Sequence, residues 1–336
     1  MTTGTDIGNL PPEMACGLTF HLPMELVALI DAGADGCTIE ERTLERLTEA
    51  DDAGLVDPPL YRWAVDRYRP VAAALLASDT NTRASAFAEI EPIGEGLAGA
   101  AFHGLIRLGY AAWQRDVDEL ARGLAYLRTR RQVLAAPAGN GPMTIRHGDL
   151  PPVHDHDGIA VFDLLNLVAG TGVPARRTHG QQKPDPAAVV GEAVRLVRRN
   201  PSSIVAVHAV TGLHALCEVH MLLTGAPPDG GAARTRGIGS WWAAATAAVN
   251  ACSVLVEHSP PEAVEPHSGR FGAVDSIDDL VTASIATGDT HDVKLAVALR
   301  RLVTMRIVPA SDAVAAGLGR LAGASGTRDT VDLPVA

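Results

Sequence analysis

The chain has 336 residues, 47% of them hydrophobic and only 4% aromatic, so alanine, leucine and valine carry the apolar content. That length holds one large domain or two small ones, and the composition favours helices over strands. A formal net charge of −11, from 39 acidic against 28 basic residues, repels phosphate backbones and argues against a nucleic-acid partner. Four scattered cysteines form no CxxC pair, which argues against a disulfide framework or a zinc knuckle. The first residues lack the basic and apolar segments of a signal peptide, and no apolar run of membrane-spanning length is free of polar interruption. A soluble cytoplasmic protein with no membrane partner is the expectation.

The first predicted helix is LPMELVALIDAG (22–33), with Pro23 in its first turn and Gly33 at its end. His21 therefore sits at a helix mouth. A charged amphipathic helix follows in TIEERTLERLTEADDAG, and another in PLYRWAVDRYRPVAAALLAS. The stretch from Asn81 to Leu134 reads as two or three helices, one of them starting near Gly99. A loop rich in glycine, proline and histidine spans 136–158 and is the best candidate boundary. Two short strands are conceivable, PMTIRH and IAVFDLL. DPAAVVGEAVRLVRRN is amphipathic, whereas PSSIVAVHAVTGLHALCEVHMLLTG (201–225) is apolar nearly all round and so reads as buried. GSWWAAATAAVNACSVLVEHS reads the same way. The segment from Ser276 to Met305 and a short helix near ASDAVAAGLGRLAG close the ordered part. The architecture expected is all-α: one multi-helix globular domain over 18–323, with a 1–17 extension, a 324–336 tail and a buried histidine-lined pocket.

Twelve histidines is a high count for this length. His103 lies on an apolar helix beside Ile106 and Tyr110. His208 lies mid-way along the buried-looking helix, with His214 roughly 120° further round, so the two face differently. Taken singly, each reads as a hydrogen-bonded core residue. Taken together on separate helices, with His21 at a helix mouth, they match the way helical proteins build metal sites. His291 and Lys294 are three apart and share a face, yet a solvated stripe with Arg301 explains that spacing equally well. GEGLAG (Gly94, Gly96, Gly99) matches GxGxxG but lacks a preceding strand, so a dinucleotide fold is not expected. The clusters RHGDLPPVHDHDG, HSPPEAVEPHSG and RRTHGQQK read as surface loops.

The segments TFHLPMELVALIDAGA, AAFHGLIRLGYA, VAVHAVTGLHAL and THDVKLAVAL, in that order, resemble the questin oxidase-like family over about residues 18–305. The resemblance implies an oxygenase that opens a ring of an anthraquinone-like aromatic polyketide, with dioxygen as co-substrate. It further implies a non-haem Fe(II) held by His21, His103, His208, His291 and Lys294, the lysine carboxylated on its side-chain nitrogen. Among these, His103, His208 and Lys294 are the expected catalytic positions, and His208 is preferred over His214 because it occupies the family position. A lysine ammonium has no lone pair, whereas a carbamate supplies an anionic oxygen ligand. Its formation needs a neutral amine, which burial and a nearby cation favour. Reduced nicotinamide (NADPH) is a suggested requirement in that family, so a metal-free Baeyer–Villiger-type monooxygenase is the first alternative. A non-catalytic helical binder of aromatic ligands is the second.

Overall fold

The computed structural model describes residues 9–15, 19–134, 161–170, 185–228, 238–258 and 274–322. They form thirteen α-helices and one two-stranded ribbon, so the protein is all-α as the composition implied. In the ribbon β1 (Glu13–Met14) pairs antiparallel with β2 (Leu55–Val56), Glu13 opposite Val56. The possible strand PMTIRH, the loop 136–158, the cluster RRTHGQQK, most of HSPPEAVEPHSG and the 324–336 tail lie outside the described residues. The other expected strand, IAVFDLL, is corrected: from Val161 onward it belongs to a helix, Val161–Gly170. A short apolar run gives no periodicity with which to tell a strand from a buried helix turn.

The helices follow from local signals. α1 (Leu22–Ala32) has Pro23 in its first turn and ends on Gly33 in the left-handed conformation. α2 (Gly36–Ala53) starts where the Asp35 side chain accepts from the Thr38 amide. α3 (Tyr61–Leu75) and α4 (Thr80–Ile90) lead into two 3₁₀ turns, Glu91–Gly96 and Gly99–Phe102. α5 (His103–Gln114) and α6 (Val117–Thr129) pack so closely that a Cβ on Gly104 would lie 2.7 Å from the Leu127 backbone. The helix expected from Gly99 thus begins at His103, because Ala100, Ala101 and Phe102 all have positive φ.

After α7 (Val161–Gly170), α8 (Pro186–Arg199) presents an apolar face and ends on two arginines. α9 (Ile204–Thr224) is capped by Ser203 and is buried at every residue from Ile204 to His220. It packs on α5, α8, on α10 (Ile238–His258) and on α12 (Thr290–Thr304), and so forms the axis of the core. α11 (Ile277–Thr287) carries a capping box at Ser276 and turns at Gly288 into α12; α13 (Ala310–Leu321) closes the described chain against α8 and α12. By length and composition α9 and α10 could each cross a membrane. Yet 94% of the apolar stretch of α9 and 61% of that of α10 is buried in the fold, and α9 carries Glu218 and three histidines. Both are core helices here.

Two contacts set the spacing of the central helices. A Cβ on Gly109 of α5 would fall 2.3 Å from the Cα of Ala215 on α9, so only glycine allows these backbones to meet. The GxGxxG glycines serve packing as well: Cβ atoms on Gly94 and Gly99 would strike the Trp241 ring and the Arg130 carbonyl. That turn is filled by protein.

Candidate metal centre

Four helix starts or interiors deliver imidazoles to one point. His21 is the N-cap of α1, but its side chain makes no capping bond and is released toward the interior. His103 opens α5, His208 sits one turn into α9, and His291 lies in the first turn of α12. His21 Nε2 is 2.8 Å from His103 Nε2, which is 3.0 Å from His208 Nε2. One nitrogen from each of these three residues lies within 4.8 Å of the other two, so the group can hold a metal ion. The His291 ring stands edge-on to two of them, with centroids 5.0 Å from His21 and 5.2 Å from His208. Its Nε2 is buried without a hydrogen-bond partner. Lys294, only 1% exposed, lies one turn on along α12, near enough for its charge to act on His21, His103 and His208.

Hydrogen bonds fix how these rings face. His103 Nδ1 is 2.6 Å from the Ala100 carbonyl, and His208 Nδ1 is 2.9 Å from the Ile204 carbonyl. A carbonyl oxygen only accepts, so both Nδ1 atoms carry the proton and, in the neutral rings, both Nε2 atoms present lone pairs. Two lone pairs 3.0 Å apart repel unless a cation lies between them. A proton is disfavoured in that role. Burial, then Lys294 and His291, hold His103 well below the ordinary histidine range. Burial, then His103, His291 and Lys294, do the same for His208. His21 is lowered by burial first and Lys294 second, although part of its ring still faces the cavity. Neutral, converging imidazoles of this kind are the donor set for a divalent transition metal.

The helix bearing His291 and Lys294 is held from outside. Asp289 caps α12, accepting from the His291 amide at 2.7 Å, and its carboxylate lies 3.4 Å from His291 Nδ1. Burial pushes the Asp289 carboxyl up, but His291 and Arg320 outweigh it and keep the group well below the usual carboxylate range. The ring therefore turns its Nδ1–H to Asp289 and its Nε2 inward, the carboxylate–histidine arrangement common behind metal ligands. Arg320 also donates to Asp292 at 2.8 Å.

A cavity of about 850 Å³ opens onto the four histidines, with Arg46, Glu49, Asp52 and Asp289 toward its mouth. Arg46 is committed to Glu25, Glu49 and Thr290 at 2.8–2.9 Å.

The four histidines singled out in the sequence thus lie around one point, and Lys294 is buried one turn along α12 from His291. His214 does not join them: it bonds Glu218 at 3.2 Å and stands edge-on to Tyr110 and Trp113, on another side of α9. His220 turns to Trp242. The surrounding set of Thr19, Ala100, Asp289 and Arg320 escaped sequence reading. Only Asp289 carried a usable signal, as an acidic residue just before a helix start. Against known proteins the chain gives no match: no family model, no curated protein and no solved structure matches it.

Proposed function

We propose that this protein is a non-haem iron oxygenase that opens a ring of a polycyclic aromatic polyketide with dioxygen, as its resemblance to the questin oxidase-like family implies. The observation that carries the reading is the pair of carbonyl-fixed imidazoles, His103 and His208, whose Nε2 lone pairs converge at 3.0 Å in a buried site. His21, His103 and His208 would hold Fe(II), joined by His291 and by Lys294 as its carbamate. The carbamate forms when a neutral lysine amine adds to carbon dioxide and loses a proton, giving an anionic oxygen where an ammonium could not bind. When bound, iron supplies dioxygen activation.

The rest of the chemistry falls to the chain. The cavity volume lies in the range that encloses a flat polycyclic ligand. Its floor of neutral imidazoles and its ion-paired Arg46 leave the substrate to be held by shape and by hydrogen bonds to hydroxyl and carbonyl groups. Asp289, Ala100 and Ile204 hold ring protons on the outward nitrogens, so the inward nitrogens keep their lone pairs for the metal.

The test is elemental analysis of freshly prepared, tag-free protein, followed by oxygen uptake with anthraquinone and hydroquinone substrates. About one iron per chain, with oxygen consumed only in the loaded form, is the expected result. Full turnover after exhaustive chelation, driven by NADPH, would transfer the reading to a metal-free monooxygenase. Ligand binding with no oxygen uptake would leave a non-catalytic binder.

A further inference from the structure

Behind His103 runs a chain of side chains that the ligand set does not include. Thr19 Oγ1 is 3.1 Å from His103 Nδ1 and 2.9 Å from Tyr126 Oη. Tyr126 is 1% exposed, and the charge of Glu13, itself 3% exposed, acts on its phenol. Glu13 is in turn paired with the guanidinium of Arg130, whose side chain is 40% exposed and reaches the surface. A backbone bridge between Glu13 and Thr19 places the two ends of this chain side by side.

Burial first and the Glu13 charge second push the Tyr126 phenol above its ordinary range, which keeps its own proton in place. The direction of the bonds follows from the imidazole end. The Thr19 oxygen accepts from His103 Nδ1–H, and the Thr19 hydroxyl donates to the Tyr126 oxygen. That same N–H also faces the Ala100 carbonyl at 2.6 Å. Ala100 can offer its carbonyl there because residues 100–102 all lie in the left-handed region, with φ of 48°, 53° and 67°. None of the three is glycine, so the turn is strained. Backbone strain of this kind persists where surrounding structure over-determines it.

We infer that Tyr126 and Thr19 are positioning residues for the metal centre, a pair of linked hydroxyls behind His103 that fixes the tautomer and tilt of its ring. The inference rests on the metal-centre reading above. Bonds of one polarity strengthen each other in such a chain, so Tyr126 enriches the Nε2 lone pair without touching the ring. Loss of a partner behind a ligand costs typically 10–100-fold in metal affinity. With Ala100 still in place, the low end of that range applies.

The experiment titrates the full-length, metal-free protein with Co(II) alone. It follows the visible ligand-field band and the shifted, exchangeable imidazole N–H proton resonances. Tyr126→Phe and Thr19→Val are expected to weaken Co(II) binding about 10-fold and to broaden or move one N–H resonance, with far-UV circular dichroism unchanged. Thr19→Ser, which keeps the hydroxyl, is expected to restore both readouts. If Tyr126→Phe and Thr19→Val bind Co(II) like the parent with an unmoved N–H signal, the positioning role is wrong while the metal centre stands. If the parent itself shows no band and no saturable binding, the metal centre fails and the positioning role with it.

Discussion

Replacing Gly109 by alanine tests how closely helix packing and the metal centre are coupled. A Cβ there would sit 2.3 Å from both Cα and Cβ of Ala215 and 2.8 Å from its carbonyl oxygen. Ordinary contact begins near 3.4 Å, so α5 and α9 must separate by about 1 Å, and the obstacle is backbone that cannot rotate away. Overpacking of a well-filled core costs typically 1–3 kcal/mol, and this case belongs at the upper end. The same two helices carry His103 and His208, six and seven residues from the contact, or roughly 10 Å along each axis. Separating them by about 1 Å moves the 3.0 Å pair of Nε2 atoms beyond the tolerance of metal–ligand bonds, which is about 0.2 Å. Gly109→Ala should therefore lose about 2–3 kcal/mol in urea unfolding. It should also lose at least about tenfold in Co(II) affinity. Gly317→Ala is the control, since its Cβ meets only the movable end of Leu280, away from the histidines. A Gly109→Ala protein that melts and binds Co(II) like the parent would refute the coupling outright.

Three further outcomes are expected. His208→Ala should abolish metal retention, whereas His214→Ala should keep it and lose only stability, because His214 faces Glu218; equal metal content in the two variants would reverse the assignment. Metal-free protein should weaken in acid. The folded pKa values of His21, His103 and His208 are depressed, so below about pH 6.5 the unfolded chain takes up protons that the folded one refuses. Each histidine then removes up to about 1.4 kcal/mol of stability per pH unit until its folded pKa is reached, and urea midpoints that stay flat from pH 7 to 5 would contradict this. Finally, Arg320→Leu should cost about 3–5 kcal/mol by leaving Asp292, fully buried, without its 2.8 Å partner. Adding Asp292→Leu should recover much of that loss in thermal unfolding.

Much of this molecule could be read from its residues. The unbroken apolar surface of Ile204–His220 marked a central buried helix, and Pro23 with Gly33 bracketed α1. Histidines spread over such helices pointed to an interior site. The left-handed turn at 100–102 left no trace, because alanine and phenylalanine carry no signal for positive φ. Glu13 and Tyr126 stayed hidden for a different reason: their partners are distant in sequence, and a polar residue in an amphipathic pattern reads as surface. Spacing alone could not choose between a wet stripe and a site at His291 and Lys294. That choice needed the fold, which lays α12 against both α1 and α9.

The four histidines come from near the start of the described chain, its middle and its end, on helices that meet only in the complete core. No fragment holding two of them can offer the full set of donors. Metal occupancy therefore reports on assembly of the whole molecule rather than of any one part. A ligand that binds only the native state at one hundred times its dissociation constant adds about 2.7 kcal/mol to global stability. On the proposed reading, cells short of metal would carry a protein more readily opened and degraded, so its abundance would follow metal supply.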